Sequence, residues 1–226
     1  MRKIFFFLLL LFTTSTHAVS LADLSNRDAI NGLKQALTKG ADSAVAKLGK
    51  VDGFLGDPKV KIPLPDSLQR VDKLLRMFGQ GKYADELVTT MNRAAEAAVP
   101  EAKALLIKTI KGMSVKDAKN ILTGGDTAAT DYFRSKTSKP LAAKFLPIVQ
   151  KQTSRLKLAQ KYDQFAGKAS RFGLVDKNQA NIEQYVTQKS LDGLYLMMAE
   201  EEKAIRADPV GQGSKLISKV FGSLLK

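Results

Sequence analysis

The stretch from Lys82 to Met113 constrains the fold most strongly, because its apolar residues recur at helical spacing on two adjacent stripes. The first stripe contains Leu87, Met91, Ala94 and Ala98, and the second contains Ala95, Ala102, Leu106 and Ile110. So wide an apolar surface needs neighbours on more than one side. Many of these positions hold Ala, which lets partner helices approach closely. The pattern therefore predicts the central helix of a bundle, bent at Pro100.

The rest of the chain also carries helical patterns, and we expect an all-α, bundle-like fold. Further helices are predicted from Ser25 to about Gly49, from Asp66 or Ser67 as caps to Gly79, from Ser114 to Leu122, after Asp126, from Pro140, over residues 180–207, and near the C-terminus around Leu216, Val220 and Phe221. A kink is expected near Pro147. These helices are interpreted as a single domain over residues 19–226.

The stretch from Val51 to Pro65 interrupts the helices with glycines and prolines. Within it, Val60, Ile62 and Leu64 alternate as an extended segment does. We interpret this stretch as an extended Pro-rich connector that packs over the bundle. The alternative is an arm that docks into a partner subunit.

The first 18 residues have the three regions of a secretory signal peptide. Arg2 and Lys3 form the charged region, residues 4–12 form an apolar run, and small and polar residues follow up to Ala18. Nine apolar residues are fewer than the roughly 20 that a membrane-spanning helix needs. We therefore expect cleavage after Ala18, with cleavage after Ala22 as the alternative, and export to the periplasm. The chain has no Cys, so a lipoprotein is not expected.

The chain is strongly basic, with a net charge of +14, and removal of Arg2 and Lys3 with the signal would leave +12. Between Lys136 and Arg171 there are nine basic residues, and Asp163 is the only acid. A candidate basic face comprises Lys144, Lys151, Arg155, Lys157 and Lys161. Such an excess favours association with anionic surfaces or polymers. The alternative interpretation is a solvated helix surface.

Several kinds of chemistry are disfavoured by composition. The single His is His17, inside the expected signal, and the chain has no Cys and no Trp. The mature chain would lack imidazole and thiol groups, which serve as bases, nucleophiles and zinc or copper ligands. We therefore expect no metal site and no cofactor, and we assign no catalytic residue. Nucleic acid is a poor candidate partner, because the basic segment has few aromatic side chains to stack on bases.

Three polar residues lie within one turn of one another on the central helix: Asn92, Arg93 and Glu96. One interpretation is an ion pair of Arg93 with Glu96 on the helix surface. The other is a buried polar network that lines a site.

A second group, Tyr195, Met197 and Met198, suggests an apolar ligand pocket, although such clusters also form ordinary core. The turn from Thr123 to Thr127 precedes a helix, whose first amides can bind an anion. Asp126 can cap those amides itself, so we interpret this turn as the end of one helix and the beginning of the next.

Several short phrases together resemble one bacterial family. They are residues 62–65 (IPLP), 91–96 (MNRAAE), 124–126 (GGD), 128–130 (AAT), 132–134 (YFR) and 191–194 (LDGL), with Glu201-Glu202 and Ile205-Arg206. They are similar to the exported domain-of-unknown-function family 4197. The resemblance covers nearly the whole mature chain and implies one mostly helical exported domain, without an activity.

The leading functional hypothesis is a non-enzymatic periplasmic binding or interaction protein whose basic helical face meets an anionic envelope partner, such as lipid head groups or an envelope polymer. The first alternative is a carrier of an apolar small ligand or lipid between the helices. The second is a carboxylate-dependent hydrolase that uses Glu96 or Glu202. Ionic strength distinguishes the leading hypothesis from the first alternative, because only binding to the basic face weakens steeply as salt is added.

Overall fold

The computed structural model describes residues 26–155, 157, 182–209, 211, 217, 220 and 221. The α-helices are α1 (Asn26–Leu48), α2 (Asp66–Met77), α3 (Lys82–Ala98), α4 (Ala102–Lys111), α5 (Val115–Leu122), α6 (Ala128–Arg155) and α7 (Ile182–Ala207). No strand occurs within these described ranges. The prediction of an all-α, bundle-like fold is therefore confirmed. The predicted helix near the C-terminus lies mostly outside the described residues.

The helices α3 and α4 lie at the centre of the bundle, as the two apolar stripes predicted. All eight stripe residues are at most 2% exposed. Pro100 lies in a 3₁₀ turn, Val99–Glu101, which separates α3 from α4. A proline cannot donate the backbone hydrogen bond that would continue the helix, so the predicted bend is a short turn between two helices.

The other long helices surround this pair. The helices α6 and α7 pack against each other, and both contact α3. The helix α1 packs against α7, α4 and α5. Their buried residues form one core cluster, to which α6 contributes Phe133, Leu141 and Phe145.

The two helices that the sequence suggested after Asp126 and from Pro140 are one continuous helix, α6. The prediction that Pro140 opens a helix was wrong, because Pro140 and Pro147 both lie inside α6. Its buried residues recur every fourth position from Ala129 to Thr153, and both prolines are exposed. Each proline removes one N–H donor, but the carbonyl left without a partner belongs to an exposed residue, which water can reach.

The structure confirms one of the helix caps predicted from the sequence and contradicts another. The helix α5 begins with a capping box in which Ser114 and Asp117 bond each other's backbone, as the sequence predicted. In α2, by contrast, Asp66 is the first helical residue, and no side chain caps the helix. Two residues after the end of this helix lies Gly79, whose φ of +69° is unstrained only without a Cβ.

The connector packs on the bundle of its own chain. Val60, Ile62 and Leu64 are buried, whereas Lys61 and Pro63 between them are exposed. The alternation in the sequence therefore corresponds to alternating burial of an extended segment that forms no strand.

Candidate functional site

Asn92 on α3 holds the connector by both backbone groups of Ile62. The N–H of Ile62 donates to Oδ1 of Asn92 over 2.8 Å, and Nδ2 of Asn92 donates to the carbonyl of Ile62 over 2.9 Å. The same Nδ2 donates to the carbonyl of Val88 over 2.8 Å. Asn92 is fully buried, so both its donors and its acceptor are used inside the protein. Its side-chain amide therefore makes the two hydrogen bonds to Ile62 that a neighbouring β-strand would make.

Glu96 fixes an earlier part of the connector, one helical turn further along α3. Its Oε1 accepts hydrogen bonds from the N–H groups of Phe54, over 3.1 Å, and Leu55, over 3.2 Å. Its Oε2 accepts from Nη1 of Arg93 over 2.7 Å, and Nη2 of Arg93 donates to Oδ1 of Asp52 over 2.8 Å. The hydrogen bond to Glu96, and then that to Asp52, raises the pKa of Arg93. This network therefore binds the chain's own backbone.

A second buried carboxylate, that of Glu202 on α7, caps the N-terminus of α6. Its Oε1 accepts from the N–H of Ala129, and its Oε2 accepts from the N–H and Oγ1 of Thr130, each over 2.9 Å. Arg206 donates to Oε1 through Nε and Nη2. The carboxylate meets the positive end of the helix dipole. Glu202, and not Asp126 as the sequence suggested, binds these amides, so they are not open to an external anion.

Glu96 and Glu202 share one arrangement that bears on the hydrolase alternative. Each carboxylate accepts two backbone N–H groups and an Arg on its own helix, and each side chain is 6% exposed. A catalytic carboxyl group must instead exchange a proton with a substrate within hydrogen-bond reach. The observed contacts give both carboxylates a structural role and leave little room for such an exchange.

Tyr195, Met197 and Met198 lie in the core of the bundle. They are at most 5% exposed. The hydroxyl of Tyr195 lies 2.8 Å from Oγ1 of Thr137 on α6, so its polar group is satisfied inside the protein. A cavity beside Met198 has a volume of about 20 Å³, which is enough for one water molecule and too small for an organic ligand.

Five cations project from the exposed side of α6 and its end, and we name them the α6 basic face: Lys139, Lys144, Lys151, Arg155 and Lys157. All five are exposed. None forms an ion pair with an acid in the part of the chain that the structure describes. Four of them were predicted from the sequence. Lys139 is added because every fourth residue of α6 from 139 to 155 is exposed, and this row includes Lys151 and Arg155. Lys161, the remaining predicted member, lies outside the described residues.

Several other surface cations are paired with acids. Such pairs are Lys47–Glu201, Lys59–Glu200 at 2.7 Å, and Lys103–Asp42 at 3.0 Å. The hydrogen bond from Lys59 to Glu200 raises the pKa of Lys59. An exposed pair of this kind adds little stability, but it cancels the local charge. The α6 basic face keeps its positive charge by comparison.

A surface groove between α1 and α4 was not predicted. It is open to solvent, has a volume of about 720 Å³, and is lined partly by Ile107 and Ile110. Lys34 lies at its edge and donates from Nζ to the carbonyl of Lys111 over 3.0 Å, so this cation serves the end of α4. Helical periodicity cannot reveal such a groove, because its shape depends on how two distant helices pack.

Over the described ranges, no group of three or more His, Cys, Asp or Glu side chains could hold a metal ion. Among the same residues, no helix combines the length and the apolar character that crossing a membrane requires.

No curated protein and no solved structure matches the chain significantly. Residues 23–222 match the family model described as "Protein of unknown function (DUF4197)". The match spans the connector, all the helices from α1 to α7 and the α6 basic face, and it confirms the resemblance in the short sequence phrases. The chain therefore belongs to the DUF4197 family.

Proposed function

We propose that this protein is a non-enzymatic binding protein of the periplasm, and that its α6 basic face meets an anionic partner of the cell envelope. The partner is recognised by its negatively charged groups, which lipid head groups and anionic envelope polymers both carry. The observation that carries the proposal is the contrast between this face, which has no described acid as partner, and surface cations such as Lys47, Lys59 and Lys103, which are paired with acids.

The spacing of the cations supports binding to an extended anionic surface. From Lys139 to Arg155 the helix rises by about 24 Å. Lys151 and Arg155 are one turn apart, about 6 Å along the axis. This separation is shorter than the Debye length of about 8 Å at physiological salt, so their fields add at a nearby anion. A row of this length fits repeated charges better than one small anion.

The apolar-carrier alternative has less support. Its candidate residues, Tyr195, Met197 and Met198, are packed in the core, and the cavity beside Met198 holds no more than about one water. The larger groove between α1 and α4 lies elsewhere and is open to solvent.

The test is cosedimentation of the mature protein with anionic and with neutral vesicles, each at low and high salt. A parallel arm measures retention on an immobilised soluble polyanion, which separates lipid from polymer. We expect binding to an anionic partner that is lost at high salt and is weakened when Lys151, Arg155 and Lys157 are changed to Gln. Binding to neutral and anionic vesicles alike, or no binding to either anionic partner, would overturn the proposal.

A further inference from the structure

Half of the exposed large apolar side chains in the described part of the chain lie at one corner of the fold. In the described part of the chain, six large apolar residues are exposed, and three of them lie at the end of α2. Leu74 is 37% exposed, Met77 is 78% exposed, and Phe78, the residue after the helix, is 61% exposed. Leu74 and Met77 lie on one face of α2, and Phe78 follows the last helical residue, so the three exposed side chains lie together at this end of the helix.

The helix α2 has two apolar faces with different surroundings. Leu68, Val71 and Leu75 are buried against the protein. The opposite face carries Leu74 and Met77 together with Arg70 and Lys73, which are both exposed. Neither cation pairs with an acid among the residues that the structure describes. This combination of exposed apolar and basic side chains is typical of helices that lie in a membrane interface.

The corner is held in place, so the patch is presented in a defined position. Gly79, two residues after the end of α2, has the left-handed conformation, and the N–H of Gln80 donates to the carbonyl of Leu75 over 2.8 Å. Arg76 bonds Asp72 on its own helix and Asp85 on α3. The guanidinium therefore ties the end of α2 to the beginning of α3. These contacts hold the end of α2 in place, with Met77 and Phe78 exposed to solvent.

We propose that this α2 corner, formed by Arg70, Lys73, Leu74, Met77 and Phe78, inserts its apolar side chains into the interface of an anionic lipid bilayer. The two cations meet the lipid head groups, and the three apolar side chains enter the region just beneath them. The charge of Arg70 and Lys73 favours a lipid surface over an apolar protein partner. The inference rests on the proposed function and narrows its partner to lipid.

The absence of Trp from the sequence provides a direct probe. The variant Phe78→Trp places one tryptophan in the patch of the otherwise complete mature chain. With anionic vesicles we expect its emission to shift to shorter wavelength and to be quenched by lipids brominated in their acyl chains. An unshifted tryptophan on vesicle-bound protein would contradict insertion and leave the α6 basic face as the binding surface. A shift that depends on protein concentration without lipid would show that a second copy covers the patch, and it too would overturn the inference.

A pair of matched double variants measures how much the patch contributes. Met77→Ser with Phe78→Ser is compared with Val115→Ser plus Leu196→Ser, which removes two exposed apolar residues elsewhere. We expect the first pair to weaken partitioning into anionic vesicles by about tenfold or more, since two apolar side chains leave the interface. The second pair should leave partitioning near that of the parent. Equal effects of the two pairs would refute insertion of the α2 corner. Failure of the proposed function would instead appear as unchanged binding after substitutions in the α6 basic face.

Discussion

The ring of Phe54 in the connector packs directly against Gly193 on α7. A Cβ added at Gly193 would lie 2.7 Å from Cε1 of that ring and 3.4 Å from Cβ of Val60. Phe54 is fully buried, so its ring has little room to move aside. Glycine at this position of a helix is explained by the close approach of the connector.

Gly193→Ala should therefore destabilise the protein, although alanine favours helices. We expect the free energy of unfolding to fall by about 1–3 kcal/mol, the usual cost of overpacking. Urea unfolding measures it. The control is Gly40→Ala in α1, where the added Cβ would make only ordinary contacts of 3.6 and 3.7 Å with side-chain atoms of α7. That change should be stabilising by about 0.5–1 kcal/mol. Equal effects at both glycines would contradict the packing of Phe54.

Removing the carboxylate of Glu96 should release the connector. Glu96→Ala leaves the N–H groups of Phe54 and Leu55 and the guanidinium of Arg93 without their partner. We expect a loss of about 3 kcal/mol in the free energy of unfolding. Glu96→Gln should lose less, since one oxygen can still accept from the backbone.

Limited proteolysis supplies a local readout of the same change. Trypsin should cut faster after Lys59 and Lys61 in Glu96→Ala, because both residues lie in the connector. Glu101→Ala, at an exposed position beside the same helix, is the control and should change stability by less than about 0.5 kcal/mol. Similar cleavage in the two variants would mean that Glu96 does not anchor the connector.

The cap on α6 should depend on Glu202 and not on Asp126. In Glu202→Ala the amides of Ala129 and Thr130 lose their acceptor, so their hydrogen exchange should accelerate and stability should fall by about 2–4 kcal/mol. Asp126→Ala should leave both exchange rates near those of the parent. A larger effect of Asp126→Ala than of Glu202→Ala would instead support Asp126 as the cap, as the sequence suggested.

Tyr185 should make the connector sensitive to alkaline pH. Its hydroxyl donates to the carbonyl of Pro63 over 3.0 Å, and burial, with a smaller effect of Asp66, raises its pKa above the ordinary 10.0. A raised tyrosine pKa means that the neutral form is favoured in the folded state. This stabilisation is complete below pH 10.0 and is lost as the pH rises through the folded-state pKa. The parent should therefore lose its stability advantage over Tyr185→Phe in urea unfolding at such pH values. A constant difference across this range would count against the bond.

Patterns confined to one helix allowed much of the fold to be predicted. The apolar stripes of α3 and α4 and the capping box of α5 involve residues within a few turns of one another, so spacing is enough to identify them. The alternating burial of Val60, Ile62 and Leu64 has the same origin.

Contacts between distant segments could not be predicted in this way. Glu202 caps Thr130 from 72 residues further along the chain, and nothing near Thr130 points to it. The continuity of α6 through Pro140 was missed because a proline is tolerated where the freed carbonyl faces solvent, and which face is exposed depends on packing. The sequence predicted where the basic residues are clustered along the chain, and the structure shows which of them have an acid within reach.

We propose that the cations of the α6 basic face act because no acid among the described residues pairs with them, and a charge-matched comparison tests this most directly. One variant changes Lys144, Lys151 and Arg155 to Gln, and the other changes the paired Lys47, Lys59 and Lys103 to Gln, so both lose three positive charges. Affinity for anionic vesicles and for an immobilised polyanion is measured for each at low salt. We predict that the first variant loses most of its binding while the second stays near the parent. Equal losses in the two variants would show that only net charge matters, and would contradict a binding face on α6.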